Sequence, residues 1–178
     1  MKKVPVLFIV LVLCAFTGKA QNAIPLQYQE MVSNLMKHLP TEAPSESKST
    51  NRLLDFAKSM IGIPYRYASS NPKVGFDCSG FVSYVFQNFG FRVPRSSREF
   101  AMKGEAKKLA DARIGDVIVF TGTNSRVRRA GHVGIVYSID GDEIKFIHSS
   151  SGNKKGVTIT SLNEGFYKKR FMKIVSIL

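Results

Sequence analysis

Apolar residues recur at helical spacing in two places in the middle of the chain. Leu53, Leu54, Ala57, Met60 and Ile61 mark one helix, which Gly62 and Pro64 end. From Cys78 onward, Phe81, Val82, Val85, Phe86 and Phe89 recur at i, i+1, i+4, i+5 and i+8, with Gly90 as the stop. This stripe predicts the best-defined helix of the chain, its aromatic face being core. Beyond Gly104 the period changes to short β-branched runs at 117–120, 132–137, 143–148, 157–160 and 171–177, with turn residues between them. Five strands after helices predict an α+β domain with a largely antiparallel sheet. Asp140-Gly141 marks a hairpin between the second and third strands.

The N-terminus follows another pattern. Lys2 and Lys3 precede an apolar run over residues 4–16, and Gly18-Lys19-Ala20 follows it. That order reads as a cleaved signal peptide over residues 1–20 and an exported chain, since the run is about a dozen residues where a permanent span needs roughly 20. Leu13 stands where a lipoprotein signal needs a small residue, which argues against acylation of Cys14 and for cleavage after Ala20. Residues 21–50 form an N-terminal segment, weakly periodic over 31–39 and then, from Pro40 to Thr50, polar enough to read as a flexible tether. Residues 51–178 have the length of one domain and show no internal repeat.

Charge and cysteine content narrow the chemistry. The formal net charge is +13, and loss of Lys2, Lys3 and Lys19 with the leader brings it to about +10, enough to attract polyanions such as wall polymers or anionic lipid headgroups. A basic surface that serves only solubility fits equally. Export and the lack of any recognition module argue against nucleic acid. Only two cysteines occur, and cleavage removes Cys14, so Cys78 has no disulfide partner and a disulfide scaffold is excluded.

A cysteine is a nucleophile only as thiolate, and its pKa of about 8.5 falls at a helix N-terminus or beside an imidazole. Asp77 can cap the helix that Cys78 opens, leaving unpaired backbone donors around the thiol that could help to form an oxyanion hole. A buried structural cysteine is the alternative reading. Of the three histidines, His132 opens one strand of the hairpin and His148 closes the next; His38 lies in the N-terminal segment and receives no role. A hairpin centred on Asp140-Gly141 leaves the two one residue out of direct pairing, and a one-residue bulge would align them. His132 would then face the thiol while His148 orients it. One thiol and two histidines lack the paired spacing of zinc sites. No phosphate-binding glycine motif is present, so no cofactor is expected.

Six segments together carry a resemblance: Ile61-Gly62-Ile63-Pro64-Tyr65, Gly75-Phe76-Asp77-Cys78-Ser79-Gly80-Phe81-Val82, Val93-Pro94-Arg95-Ser96, Ile114-Gly115-Asp116-Val117, Gly131-His132-Val133-Gly134-Ile135-Val136 and Phe146-Ile147-His148-Ser149. In order and spacing, residues 51–178 resemble the NlpC-type cell-wall cysteine peptidases, papain-like in fold. The tail from Gly156 to Arg170 looks most like the small single-domain murein endopeptidases of the MepS kind. The resemblance implies Cys78 as nucleophile, His132 as base, His148 as its orienting partner and Tyr65 at the oxyanion. It also implies Asp77 and Ser79 along the substrate cleft.

Three departures stand out. Arg66-Tyr67-Ala68 replaces the glycine pair usual after Tyr65, and Phe100 replaces the glutamine usual after Arg95. The loop over residues 121–130 looks longer than usual and holds Arg126, Arg128 and Arg129. These could bind stem carboxylates, or the loop could be merely solvated. The expectation is an exported, monomeric cysteine endopeptidase of bacterial peptidoglycan in the periplasm or cell envelope. A different amide hydrolase or acyltransferase on the same frame, and a non-catalytic wall-binding module, are the alternatives.

Overall fold

The computed structural model describes Pro25 and residues 29–34, 46–152 and 155–178. The expected leader, Cys14, His38 and most of the N-terminal segment lie outside the described residues. Contacts divide the chain after Ala43, and the second unit, Pro44–Leu178, carries the fold. Among the described residues no helix is long and apolar enough to cross a membrane.

Helix α1 (Glu46–Lys58) begins inside the stretch expected to be tether. Its first turn is polar, but Thr50, Leu53, Leu54, Ala57 and, past the helix end, Met60 are buried in one stripe, so packing of the apolar residues extends the helix backward into polar sequence. Two short strands, β1 (Ser70–Asn71) and β2 (Gly75–Phe76), form a small antiparallel ribbon. Helix α2 (Cys78–Asn88) follows directly, capped by Asp77, and buries Phe81, Val82, Val85 and Phe86. Phe56 of α1 stacks on Tyr84 and meets Phe89 edge-on, which fixes α1 on α2. Helix α3 (Ser97–Met102) opens with a reciprocal capping box between Ser96 and Glu99.

A six-stranded antiparallel sheet forms the rest, made of β3 (Glu105–Lys107), β4 (Val117–Thr121), β5 (Ala130–Asp140), β6 (Glu143–Ser150), β7 (Gly156–Ser161) and β8 (Phe171–Ser176). A short helix, α4 (Gly165–Arg170), precedes β8. The spatial order is β3-β8-β4-β5-β6-β7, so the last strand returns between β3 and β4. All five expected strands are present. The sixth, β3, is a short edge strand of Glu105, Ala106 and Lys107, with no apolar alternation to announce it.

The sheet is covered on both faces, which explains the unbroken apolar run of β4. Val117, Val119, Val133, Ile135, Ile147, Val157 and Val175 pack with α1 and α2. On the other face Ile118, Phe120, Val136, Phe146 and Ile174 pack with Tyr167 of α4.

The hairpin between β5 and β6 corrects the expected register. Asp140 pairs with Glu143, so the turn is Gly141-Asp142, one residue later than expected. A bulge between Val136 and Ser138 then sets Ile135 opposite Ile147, which extends to Gly134 opposite His148. His132 and His148 are therefore diagonal neighbours on one face, a spacing that long side chains bridge. Gly134 makes room for them. A Cβ there would lie 2.8 Å from the Phe146 ring, 2.9 Å from the Ile147 carbonyl and 3.1 Å from the His148 Cβ.

Candidate active site

The site begins where β2 runs into α2. Asp77 leaves the strand in an extended conformation, and its carboxylate accepts the backbone N–H of Gly80 at 2.6 Å. Gly80 is required here because a Cβ would fall 2.2 Å from the Ser69 carbonyl oxygen, and that carbonyl accepts the Asp77 N–H at 2.9 Å. The loop before β1 thus rests directly on the first turn of α2.

Asp77 does more than cap. Arg95 grips it with both guanidinium nitrogens, Nη1 to Oδ1 at 2.9 Å and Nη2 to Oδ2 at 2.7 Å, and also reaches Ser79 Oγ at 3.2 Å. This two-pronged geometry is the strongest arrangement available to an arginine and a carboxylate. The segment bearing Arg95 is itself held, since Ser83 of α2 donates to the Pro94 carbonyl. Asp77 and Ser79, expected along the cleft, are accordingly joined by Arg95, whose role the sequence reading did not single out although it lies in one of the resemblance segments.

Cys78, the free cysteine of the described residues, is half-buried at the mouth of the cleft. Burial pushes its thiol up, and the backbone N–H of Val133 acts against that shift, as do those of Ser79 and of Cys78 itself, while the Asp77 charge raises it further. Desolvation outweighs the helix N-terminus, so at neutral pH the resting group is a thiol. Backbone donors at the start of α2 thus lie near the sulfur, where they could also receive the oxyanion that forms on the carbonyl the sulfur attacks. Tyr65 lines the same cavity, and burial, followed by the charges of Cys78, Asp77 and Tyr67, raises its phenol, keeping it a neutral donor.

His132 follows Gly131, which borders that cavity, and precedes Val133, whose N–H faces the thiol. Its Nε2 lies 2.8 Å from Nδ1 of His148, and Nε2 of His148 lies 3.0 Å from Thr160 Oγ1 on β7. The polar chain crosses three strands diagonally, packed between Phe120, Phe146 and Tyr167. His132 Nδ1 has no hydrogen bond here, and among the described residues no buried side-chain nitrogen or oxygen is left unpaired. Nδ1 therefore keeps contact with solvent and is the ring nitrogen free to accept a proton. No hydrogen bond joins it to the thiol in this resting geometry, a distance that substrate binding commonly closes. Burial and then the charge of Arg170 hold the His132 pKa down at about 3, so the imidazole is neutral and can accept a proton.

Arg170 is buried. It gives Nε to the Gly122 carbonyl at 2.9 Å and Nη2 to the Thr121 carbonyl at 2.7 Å, with its guanidinium 4.5 Å above the Phe166 ring. It clamps the base of the loop over residues 122–129. Of the three arginines in that loop, Arg129 lines a cavity of about 380 Å³ that shares Ser97 and Gly131 with the cavity of the cysteine. Arg128 instead donates to the Phe171 carbonyl at 3.0 Å, and Arg126 is exposed and borders neither cavity. Among the described residues no group of three or more acidic, histidine or cysteine side chains could hold a metal. Thr160, Tyr167 and Arg170 escaped the sequence reading because each acts through neighbours supplied by other elements.

A family model described as the NlpC/P60 family matches residues 62–176. The Escherichia coli K12 protein named murein DD-endopeptidase MepS/murein LD-carboxypeptidase is 32% identical over 145 residues, which is 80% of this chain and 66% of that protein's length. A solved NlpC/P60 family protein from Bacillus cereus superposes with a TM-score of 0.65 at 28% identity, covering 72% of this chain and 40% of the other. RipD of Mycobacterium tuberculosis, titled a non-catalytic NlpC/P60 domain protein adapted to peptidoglycan binding, shares the fold at a TM-score of 0.56 and 19% identity over 73% of this chain and 98% of its own. The matched span takes in Cys78, both histidines of the polar chain and the whole six-stranded sheet, and the chain belongs to the NlpC/P60 family, close to its MepS-like murein endopeptidases.

Proposed function

We propose that the chain is an exported cysteine peptidase that hydrolyses an amide bond in the stem peptides or crosslinks of bacterial peptidoglycan. The observation that carries this reading is the 2.8 Å contact between His132 and His148, made by the residue that stands between Gly131, which lines the Cys78 cavity, and Val133, whose N–H favours the thiolate. A structural histidine pair has no need of a ring nitrogen left without a hydrogen bond in the residue that adjoins the thiol's cavity.

In this reading His132 Nδ1 takes the Cys78 proton as the sulfur attacks the stem carbonyl carbon. The resulting oxyanion is received by the backbone donors at the start of α2 and by the Tyr65 hydroxyl. The imidazolium then gives its proton to the departing amine, leaving a thioester. Water, deprotonated by the same nitrogen, attacks that carbonyl, releasing a carboxylate and restoring the thiol. His148 accepts from His132 Nε2 throughout, and Thr160 accepts from His148 Nε2, which fixes one tautomer along the whole chain.

The test is digestion of purified peptidoglycan by the wild type beside Cys78→Ala, with products read by mass spectrometry. New stem termini from the wild type alone support the reading; equal products from both sink it. A wall-binding module is the second reading, favoured by the non-catalytic relative of the same fold, and it predicts binding without products. A non-wall amide hydrolase or acyltransferase would leave the stems intact while still depending on Cys78.

A further inference from the structure

Two cavities meet at Ser97 and Gly131. One, of about 430 Å³, contains Cys78, Tyr65, Asp77 and Arg95; the other, of about 380 Å³, lies against the loop over residues 122–129 and is bordered by Asn124, Arg98 and Arg129. We propose that the second cavity is a subsite for a carboxylate carried by the amine-side peptide of the substrate. The inference deepens the hydrolase reading and rests on it for the direction of the bound peptide.

Direction follows from the chemistry of the leaving group. The amine must lie within reach of the nitrogen that protonates it, and Gly131, the residue before His132, borders both cavities. The peptide on the amine side therefore continues over Gly131 into the second cavity.

Charge then selects the ligand. Arg95, the arginine of the first cavity, is already neutralised by Asp77. Arg98 on α3 and Arg129 on the facing loop have no carboxylate partner among the described residues, and no acidic side chain borders their cavity. Two unneutralised guanidinium groups on a common concave surface suit a carboxylate.

The wall that bears Arg129 is built rather than loose. Arg170 clamps the Thr121 and Gly122 carbonyls at its base, Arg128 ties its far side to Phe171, and Asn124 Oδ1 accepts the Arg126 N–H at 3.0 Å. The Gly122 N–H closes the loop on the Arg129 carbonyl at 3.2 Å.

Calorimetric titration of the Cys78→Ser chain, which cannot turn over through a thiol, tests the subsite without relying on hydrolysis. The probes are an N-acetylated stem-type peptide with a free C-terminal carboxylate and its C-terminal amide. The free acid is expected to bind about tenfold more tightly at low salt, and the double change Arg98→Gln with Arg129→Gln to bring the ratio close to one. Arg52→Gln, an equal charge change per residue at an exposed position of α1, leaves the ratio as it was. A ratio near one in the parent, or a preference that survives the double change, overturns the proposal. A preference that behaves as expected in a chain whose wild type leaves peptidoglycan intact sinks the hydrolase reading and keeps the subsite.

Discussion

His132 Nε2 and His148 Nδ1 stand 2.8 Å apart although their residues are not paired across the hairpin. Two rings on diagonal positions meet edge to face, at 90° and 4.9 Å between centroids, because Gly134 leaves the space between them empty. The contact couples the two rings: for His132 Nδ1 to accept a proton, Nε2 must donate to His148 Nδ1.

Replacing Gly134 by alanine drives a Cβ within 2.8 Å of Phe146 and 3.1 Å of His148. The expected cost is about 1–3 kcal/mol of stability, read from urea unfolding. Peptidoglycan hydrolysis should fall by more than the lost folded fraction explains, because the displaced ring is the one that orients His132.

Thr160 is expected to act as a positioning residue. Thr160→Val removes the acceptor from His148 Nε2 at nearly constant volume, and loss of one hydrogen bond of about 1–1.5 kcal/mol predicts about a tenfold fall in kcat with KM little changed. His148→Ala should cost more. Nitrogen NMR of the His148 ring should report a mixed tautomer in Thr160→Val, and a single unchanged tautomer would refute the role.

The depressed pKa of His132 makes stability depend on pH. The unfolded imidazole binds a proton below about 6.5 and the folded one only near 3, so the unfolded state holds more protons between those values and acid favours it. Stability should therefore fall by up to about 1.4 kcal/mol per unit as pH drops through that window. Denaturant titrations of the wild type and His132→Gln between pH 4 and about 7 check this: the slope should be smaller in the variant by about that amount. Above pH 7 the group contributes no slope.

Cys78 carries the opposite sign. Burial raises its thiol, so iodoacetamide alkylation should still be accelerating above pH 9, with a plateau later than that of a free cysteine. A plateau below pH 8 would show that the thiolate forms more readily than its burial implies.

Asp77→Ala removes the helix cap and leaves Arg95 without its carboxylate. A cap is worth about 1 kcal/mol, and the charged pair adds to it less than a buried pair would, since the Arg95 side chain is 43% exposed. Asp77→Asn keeps a capping oxygen, so it should recover most of the unfolding midpoint while losing the two-pronged grip on Arg95.

Much of the fold was legible because its signals are local. The stripe from Phe81 to Phe89, the stop at Gly90 and the β-branched runs after Gly104 each needed only near neighbours in sequence. Edge strand β3 gave no such signal, since its residues are polar and owe their conformation to β8. The start of α1 was hidden for the same reason: polar residues 46–49 are helical because Leu53 and Leu54 downstream are buried.

By itself the sequence determined that a capped helix begins at a lone cysteine, and that two histidines sit at the open ends of a hairpin, because caps, turns and periodicity are set within a few residues. Tertiary structure alone decided the rest. The bulge after Val136 made the histidines diagonal, β7 supplied Thr160, and Arg95 closed on Asp77 from a separate segment. Burial, a property of the packed whole, then overrode the helix N-terminus and left Cys78 a thiol and His132 a neutral imidazole.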